Sequence, residues 1–316
     1  MQALYYDGDL RLRDLPLPEL KSDEVLIRVL LAGVCRTDLE VIRGYRAFRG
    51  IPGHEFVGLV AGPEDSPWLG RRVVGEINIA CGACDLCLRG LSRYCRGRRV
   101  PGLRDRNGTF AEYLTLPAAN LHQVPDNIAA EAAVFTEPLA AALAVTDAVP
   151  HLTQSRILVV GDGVLGLLCC SVLALQGSEV HLAGHYPEHL RLAEAYGASG
   201  FLERELPGGD YDVIVEASGS PSGLTLALER VRPQGTVVLK STYKGQVALD
   251  TAALVVPEVR LMGSRCGPFP AALRLLARGW VDPRPLIARS FPLAQGVEAI
   301  EFARQPGVLR VLLDCQ

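Results

Sequence analysis

The chain changes its hydrophobic rhythm near the middle. Over its first 135 residues, short apolar segments, VLIRVLLAG (25–33), EFVGLV (55–60), RRVVGEINI (71–79) and AEYLTL (111–116), are separated by Gly, Pro and charged turns. Short strands punctuated in this way predict an all-β module. From residue 156 onward, strand-like and helix-like patterns alternate. The β-branched run Ile157–Val160 predicts a buried strand, and VLGLLCCSVLAL (164–175) a buried helix. EVHLAG (179–184) then reads as a strand and PEHLRLAEAYG (187–197) as a helix, with Gly197 as its C-cap. DVIVEASG (212–219), GTVVLK (235–240) and EVRLMGS (258–264) read as further strands, with PSGLTLALERV (221–231) as a helix. Such alternation predicts βαβ units and a doubly wound parallel sheet, so the fold class is α/β. No internal repeat or low-complexity segment is evident.

Composition narrows the classes. At 316 residues the chain exceeds one comfortable core, and two domains are expected. A hydrophobic share of 49% with ordinary Gly and Pro excludes a disordered chain. A formal net charge of −3 gives no ground for a nucleic-acid partner. The N-terminal MQALYYDGD is acidic and lacks the apolar core of a secretory signal, and the run at 164–175 is too short to span a bilayer. The expectation is a cytoplasmic protein without membrane association, in which thiols stay reduced. Nine cysteines there argue for metal or catalysis before disulfides.

Four of them lie in CGACDLCLRGLSRYC (81–95), spaced C-x2-C-x2-C-x7-C. Four thiolates in one loop repel one another unless a cation neutralises them, and tetrahedral Zn²⁺ accepts four sulfurs at about 2.3 Å. One turn can present Cys81, Cys84 and Cys87, and Cys95 closes the site. Incidental small core residues are the plainer alternative. A site of four cysteines leaves no position open for substrate, so it predicts a structural zinc. A nucleic-acid-binding zinc ribbon would need a second CxxC pair and a basic, aromatic-laced surface, and it would leave the downstream residues without a role.

Those residues carry a second signal. Gly161-x-Gly163-x-x-Gly166 follows the strand Ile157–Val160 at once and opens the apolar helix. This is the context of a dinucleotide fingerprint, with Val164 and Leu165 at the helix start: the glycines permit a tight turn, close approach of a pyrophosphate and helix–strand contact.

AGVCRTD (32–38), IPGHEFVG (51–58), the four-cysteine loop, NGTFAEY (107–113), FTEPLAAAL (135–143) and VVGDGVLG (159–166) occur here in one order. In that order they resemble the zinc-dependent medium-chain dehydrogenase/reductase family, which includes the alcohol and polyol dehydrogenases, over essentially the whole chain. The resemblance implies a GroES-like β catalytic domain over 1–137 and 267–316 and a Rossmann nicotinamide-cofactor domain over 138–266. Relatives are usually dimers or tetramers, so a homo-dimer or homo-tetramer acting on a small alcohol or carbonyl compound is implied as well.

The resemblance also implies a site. Cys35 and His54 match the first two ligands of the family's catalytic zinc. A cysteine after an apolar strand is often only a small core residue, but here it lies in GVCRTD, paired with the histidine of GHE. The third ligand is a cysteine in many alcohol dehydrogenases. This chain has Glu137 in TEPLA, the form seen in polyol and sugar dehydrogenases, while Glu55 either ligates directly or supports the ligands. One position stays open for water or substrate. A Lewis-acidic zinc then lowers the pKa of the alcohol, and the nicotinamide takes the hydride. Thr37 matches the hydroxyl that accepts the substrate proton, and Asp38 the carboxylate that orients the histidine. Glu40 stands where the family usually has a relay histidine, and is either a relay itself or a solvated helix carboxylate. Arg36 matches a position that contacts the cofactor pyrophosphate in some members, and is otherwise a surface arginine. A protein of this fold that binds zinc and dinucleotide without catalysis would be expected to lack a ligand or a fingerprint glycine, and none is missing.

Substrate and cofactor choice are less determined. Tyr45, Phe48, Leu103 and Phe110 fall in segments that border the cleft in relatives, or else pack the core. Arg43, Arg46 and Arg49 form a basic run that is either a solvated face or a receiver for an anionic substrate. The second strand of a dinucleotide domain that selects NAD ends in Asp or Glu, roughly twenty residues past the fingerprint. Counting back from Tyr196-Gly197-Ala198 puts Gly184 at that position, with Glu179 and Glu188 badly placed to substitute. A missing carboxylate leaves room for a 2′-phosphate, with His185, Tyr186 and Arg191 to hold it, so NADP(H) is expected over NAD(H). The alternative is that Gly184 serves a tight turn and NAD is held by its backbone and pyrophosphate contacts.

Overall fold

The computed structural model describes residues 1–44, 47–149, 153–242 and 246–316. They divide into two compact units, Met1–Glu137 with Leu273–Gln316, and Pro138–Ala272.

The first unit is built on the eleven-residue strand Glu24–Val34, whose inward positions Val25, Ile27 and Val29 are at most 3% exposed. It pairs antiparallel with Glu55–Gly62, Tyr113–Pro117 and Arg310–Asp314. Arg72–Gly75 and Leu121–Gln123 extend the sheet beyond Glu55–Gly62, and Ile287–Pro292 extends it beyond Arg310–Asp314. A hairpin of Gln2–Tyr6 and Leu10–Asp14 stands outside this sheet. Leu4, Ile27, Phe56, Phe110 and Leu313 share its core.

Two registers place the chemistry. Gly33 pairs with Glu55, so Cys35 and His54, just past one strand and just before the other, emerge at the same end of the sheet. Val34 pairs with Val311 and brings Arg310 to that same end.

The second unit is the expected parallel sheet, in the order Ser199–Leu202, Glu179–Gly184, Arg156–Val160, Tyr211–Glu216, Val231–Leu239, Arg260–Gly263. Every pair in it is parallel. The centre is buried from both faces, and Ile157 to Val160 are all 0% exposed, which is why that stretch reads as a continuous apolar run. The strand Glu179–Gly184 and the helices Val164–Ala174 and Pro187–Ala195 fall where the periodicity puts them, and Gly197 adopts φ +85° after the last of these. Among the described residues no helix is long and apolar enough to cross a membrane.

Candidate functional site

Cys35 closes the long central strand and is the N-cap of the helix Arg36–Ile42. Asp38, 0% exposed at the third position of that helix, serves two neighbours. Its Oδ2 accepts from the Cys35 N–H at 2.9 Å, and its Oδ1 lies 2.9 Å from His54 Nδ1. One carboxylate thereby fixes the backbone of a thiol and the ring of an imidazole, leaving His54 Nε2 for another partner. Burial disfavours the imidazolium, but Asp38 and the nearby Cys35 thiol outweigh it and hold the His54 pKa well above its ordinary value.

The donor atoms of Cys35, His54 and Glu55 all lie within 4.8 Å of one another. Glu55 is 1% exposed, and Gly33 opposite leaves space for its side chain, since a Cβ there would fall 2.7 Å from Glu55 Oε2. Arg310 Nη1 donates to Oε2 at 2.8 Å and to Val34 O at 2.8 Å, whereas Oε1 is buried without a hydrogen-bond partner among the described residues. Burial dominates the Glu55 environment and raises its pKa to about 7, against the pull of Arg310 and His54. A thiol, an imidazole and a carboxylate with an orphaned acceptor make a donor set that a zinc ion fits. Glu137 lies outside the 4.8 Å group yet close enough for its charge to raise Glu55 further.

The remaining sequence candidates separate. The Thr37 hydroxyl is 3.8 Å from Cys35 Sγ, inside the site. Glu40 is tied to Arg43 at 3.0 Å and lies 3.8 Å from Arg36, whose side chain is 80% exposed. Phe48 and Phe110 are core residues, 7% and 0% exposed, so neither is free to line a cleft. Leu103 packs beside Phe48, and Arg49 is exposed. Tyr45 and Arg46 lie outside the described residues.

The four-cysteine loop closes on itself. Sγ separations are 3.4 Å for Cys84–Cys87, 3.5 Å for Cys81–Cys95, 3.8 Å for Cys84–Cys95 and 4.0 Å for Cys81–Cys87. Sulfurs at about 2.3 Å from a tetrahedral centre would stand ~3.8 Å apart, so the loop already has the dimensions of a four-sulfur zinc site. Backbone N–H groups of Ala83 and Cys84 draw the Cys81 thiol down to about 6, while burial and the neighbouring sulfurs push Cys87 up to about 12. Cys81 forms a thiolate readily, whereas Cys87 needs a cation to do so.

In the second unit the three fingerprint glycines have different reasons. A Cβ on Gly161 (φ +106°) would fall 2.6 Å from Ser218 Cα, and one on Gly166 would fall 1.9 Å from Gly161 O. Gly163 faces open space, with no other atom within 4 Å of the point a Cβ would take. Among the described residues no neighbour accounts for its missing side chain, and the open space at the start of the helix Val164–Ala174 would admit a pyrophosphate. Val164 and Leu165 form the first turn of that helix.

Gly184 ends its strand as expected, but the position is not vacant. A Cβ there would fall 2.5 Å from Asp162 Cβ and 2.6 Å from its Oδ2. Asp162 Oδ2 accepts from the N–H groups of His185 and Tyr186, both at 2.8 Å, and lies 3.6 Å from His189 Nδ1. Burial opposes ionisation of Asp162, yet His189 and the two N–H groups outweigh it and hold the pKa below its usual value. The space a side chain at position 184 would take is therefore filled by Asp162, from the fingerprint itself.

Arg310, Asp162 and Glu216 carry no role in the sequence motifs above. Glu216, 0% exposed at the end of its strand, accepts from Ser218 N at 2.8 Å and from the hydroxyls of Ser218 and Ser241. Asp162 had a visible signal, an acid between the first two fingerprint glycines.

Comparison with known proteins agrees with this fold. Residues 21–126 match the family described as "Alcohol dehydrogenase GroES-like domain", and residues 164–278 match "Zinc-binding dehydrogenase". The chain is 30% identical over 332 residues to an erythritol/L-threitol dehydrogenase of Mycolicibacterium smegmatis, covering 93% of this chain and 92% of that protein. A structure from Sinorhizobium meliloti 1021, described as a zinc-binding dehydrogenase and bound to NADP, superposes with a TM-score of 0.90 at 28% identity, covering 99% of this chain and 98% of the other. An alcohol dehydrogenase (rspB) from E. coli CFT073 in complex with NADH superposes with a TM-score of 0.91 at 27% identity, covering 99% of each chain.

Proposed function

Since the chain belongs to the zinc-dependent medium-chain dehydrogenase family, we propose that it interconverts a polyol or a related sugar or secondary alcohol with its carbonyl product. The observation that carries this reading is the group of half-buried Cys35 with buried His54 and Glu55, held in shape by Asp38 and Arg310 and carrying one acceptor without a partner among the described residues. The small-polyol class is taken from the Mycolicibacterium relative. We further place the protein in the cytoplasm, as a homo-dimer or homo-tetramer.

In this reading Cys35 and His54 hold a catalytic zinc with one carboxylate, Glu137 or Glu55, and leave one position for the alcohol. A zinc held there would supply Lewis acidity toward the alcohol oxygen, and a bound nicotinamide would be the hydride acceptor. Asp38 keeps the His54 ring turned so that Nε2 is the ligating atom. Thr37, beside Cys35, receives the hydroxyl proton. Glu40, between two guanidinium groups, suits a solvated helix carboxylate better than a relay, and Arg36, 80% exposed, stays a candidate for the pyrophosphate contact that the family resemblance implies. Gly161, Gly163, Val164, Leu165 and Gly166 receive the dinucleotide.

Two substitutions separate the metal roles. Glu137→Gln is expected to weaken zinc retention or lower kcat by at least about tenfold. Full zinc and full rate in this variant would give the third ligand position to Glu55. Cys87→Ser is expected to remove one zinc per chain and lower thermal stability, while the folded fraction keeps most of its turnover. A fully folded Cys87→Ser protein without turnover would show that the loop does more than hold structure.

The reading itself is tested by metal analysis, expected to find two zinc ions per chain. A screen of polyols, sugars, secondary alcohols and phosphorylated alcohols with both nicotinamide cofactors completes it. Turnover of at least one alcohol is expected. Zinc and cofactor binding without turnover of any of them would identify a catalytically silent member of the fold.

A further inference from the structure

The carboxyl end of the strand Glu179–Gly184 is where a dinucleotide-binding sheet reads the adenosine ribose. In this chain that corner is built around Asp162. Two successive backbone N–H groups, those of His185 and Tyr186, point at one spot just before the helix Pro187–Ala195. Paired N–H groups of this kind form an anion-binding nest, which suits a phosphate. Here the nest already holds an anion, Asp162 Oδ2, at 2.8 Å from each nitrogen. The residue is only 7% exposed, so the carboxylate is part of the packed structure and not a mobile surface group.

Gly184 makes the arrangement possible. Any side chain there would collide with Asp162, whose Cβ, Cγ and Oδ2 all lie within 2.6 Å of a Cβ placed on Gly184. Glycine at the strand end and aspartate in the fingerprint are thus one device: the acid normally carried by the strand comes from the preceding loop. A second carboxylate, Glu203, stands 3.7 Å from His185 Nδ1 and offsets that imidazole. Arg191 is exposed on the following helix, and Arg204 is paired with Glu205.

Resting on the dinucleotide reading of the fingerprint, we propose that Asp162 is the residue that selects NAD(H) over NADP(H), because its carboxylate occupies the two N–H groups that a 2′-phosphate would need. A cofactor with a 2′-hydroxyl meets an acceptor at this corner. A cofactor with a 2′-phosphate meets a filled nest and a like charge. This replaces the NADP(H) preference read from Gly184 alone.

The test is fluorescence titration of the full-length protein with NADH and with NADPH, for wild type, Asp162→Ala and Asp162→Asn. Wild type is expected to bind NADH at least about tenfold more tightly than NADPH. Asp162→Ala, which empties the nest, should shift that ratio toward NADPH by at least about tenfold, and 2′,5′-ADP should gain on 5′-AMP as a competitor by a similar factor. Asp162→Asn keeps the shape and the acceptor while removing the charge. It should shift the ratio in the same direction by less, and it provides the reading if the alanine variant does not fold. Equal or tighter binding of NADPH by wild type would overturn the proposal, as would an unchanged ratio in the folded variants. Folded wild-type protein that binds neither cofactor would overturn the dinucleotide reading, and the proposal with it.

Discussion

Arg310→Met is expected to destabilise the unit that carries the Cys35–His54–Glu55 group by about 3–5 kcal/mol at pH 8 in zinc-free protein. Arg310 is 3% exposed, donates to Glu55 and to Val34 O, and stacks 5.4 Å from the Phe135 ring centroid. Removing it strands a buried carboxylate, which costs more than the pair itself contributes. For a unit of this size the melting temperature should fall by roughly 10 °C. The effect has a pH signature. Burial raises Glu55 to about 7, so the folded chain keeps a proton that the unfolded chain releases near 4.5. Stability therefore falls as pH rises through that window. Above it the charged pair is formed and the substitution is costly; toward pH 5 Glu55 is neutral in both proteins and the difference shrinks. Adding Glu55→Gln to Arg310→Met should recover most of the loss. Urea unfolding of the three proteins at pH 5 and pH 8 measures this, and a loss below about 1 kcal/mol at pH 8 would defeat the argument.

Asp38→Ala is expected to lower zinc affinity at the Cys35–His54 site, or kcat/KM, by 10- to 100-fold, the usual range for a partner that orients a ligating histidine. A further ~1 kcal/mol of stability should go with the lost helix cap, because the same carboxylate accepts from the Cys35 N–H. The two effects are separable. Chelator competition reports the first, and thermal unfolding of the metal-free protein reports the second. Zinc affinity and kcat/KM both within about threefold of wild type would show that His54 is oriented by something other than Asp38.

What the sequence revealed and what it concealed divides along physical lines. The strand Glu179–Gly184 was legible because both its faces are buried and its ends are polar, so burial wrote itself into the residue pattern. The four-cysteine loop was legible because its ligands are close in sequence. Gly184 was found, but its meaning was not. A missing side chain says that space is needed without saying what fills it, and the filling atoms belong to Asp162, 22 residues earlier. Arg310 was hidden more deeply. Its site is created by a strand pairing that joins residues 276 positions apart, and no local pattern records that contact. The strands Ser199–Leu202 and Ile287–Pro292 escaped because each lies at a sheet edge, where half-exposed residues weaken the apolar signal.

The order of the two units along the chain has a consequence for how the protein is made. Pro138–Ala272 interrupts the other unit, so the ribosome delivers the whole second unit before the strand Arg310–Asp314. While the second unit can complete its parallel sheet as a nascent domain, the first must wait with Leu31–Val34 unpaired along one edge and Glu55 without its guanidinium partner. The long-range closure of that strand should be the slow, late step of biosynthesis. Translation that stalls or terminates between residues 272 and 310 would release a chain with a finished nucleotide-binding domain and an open, aggregation-prone sheet edge.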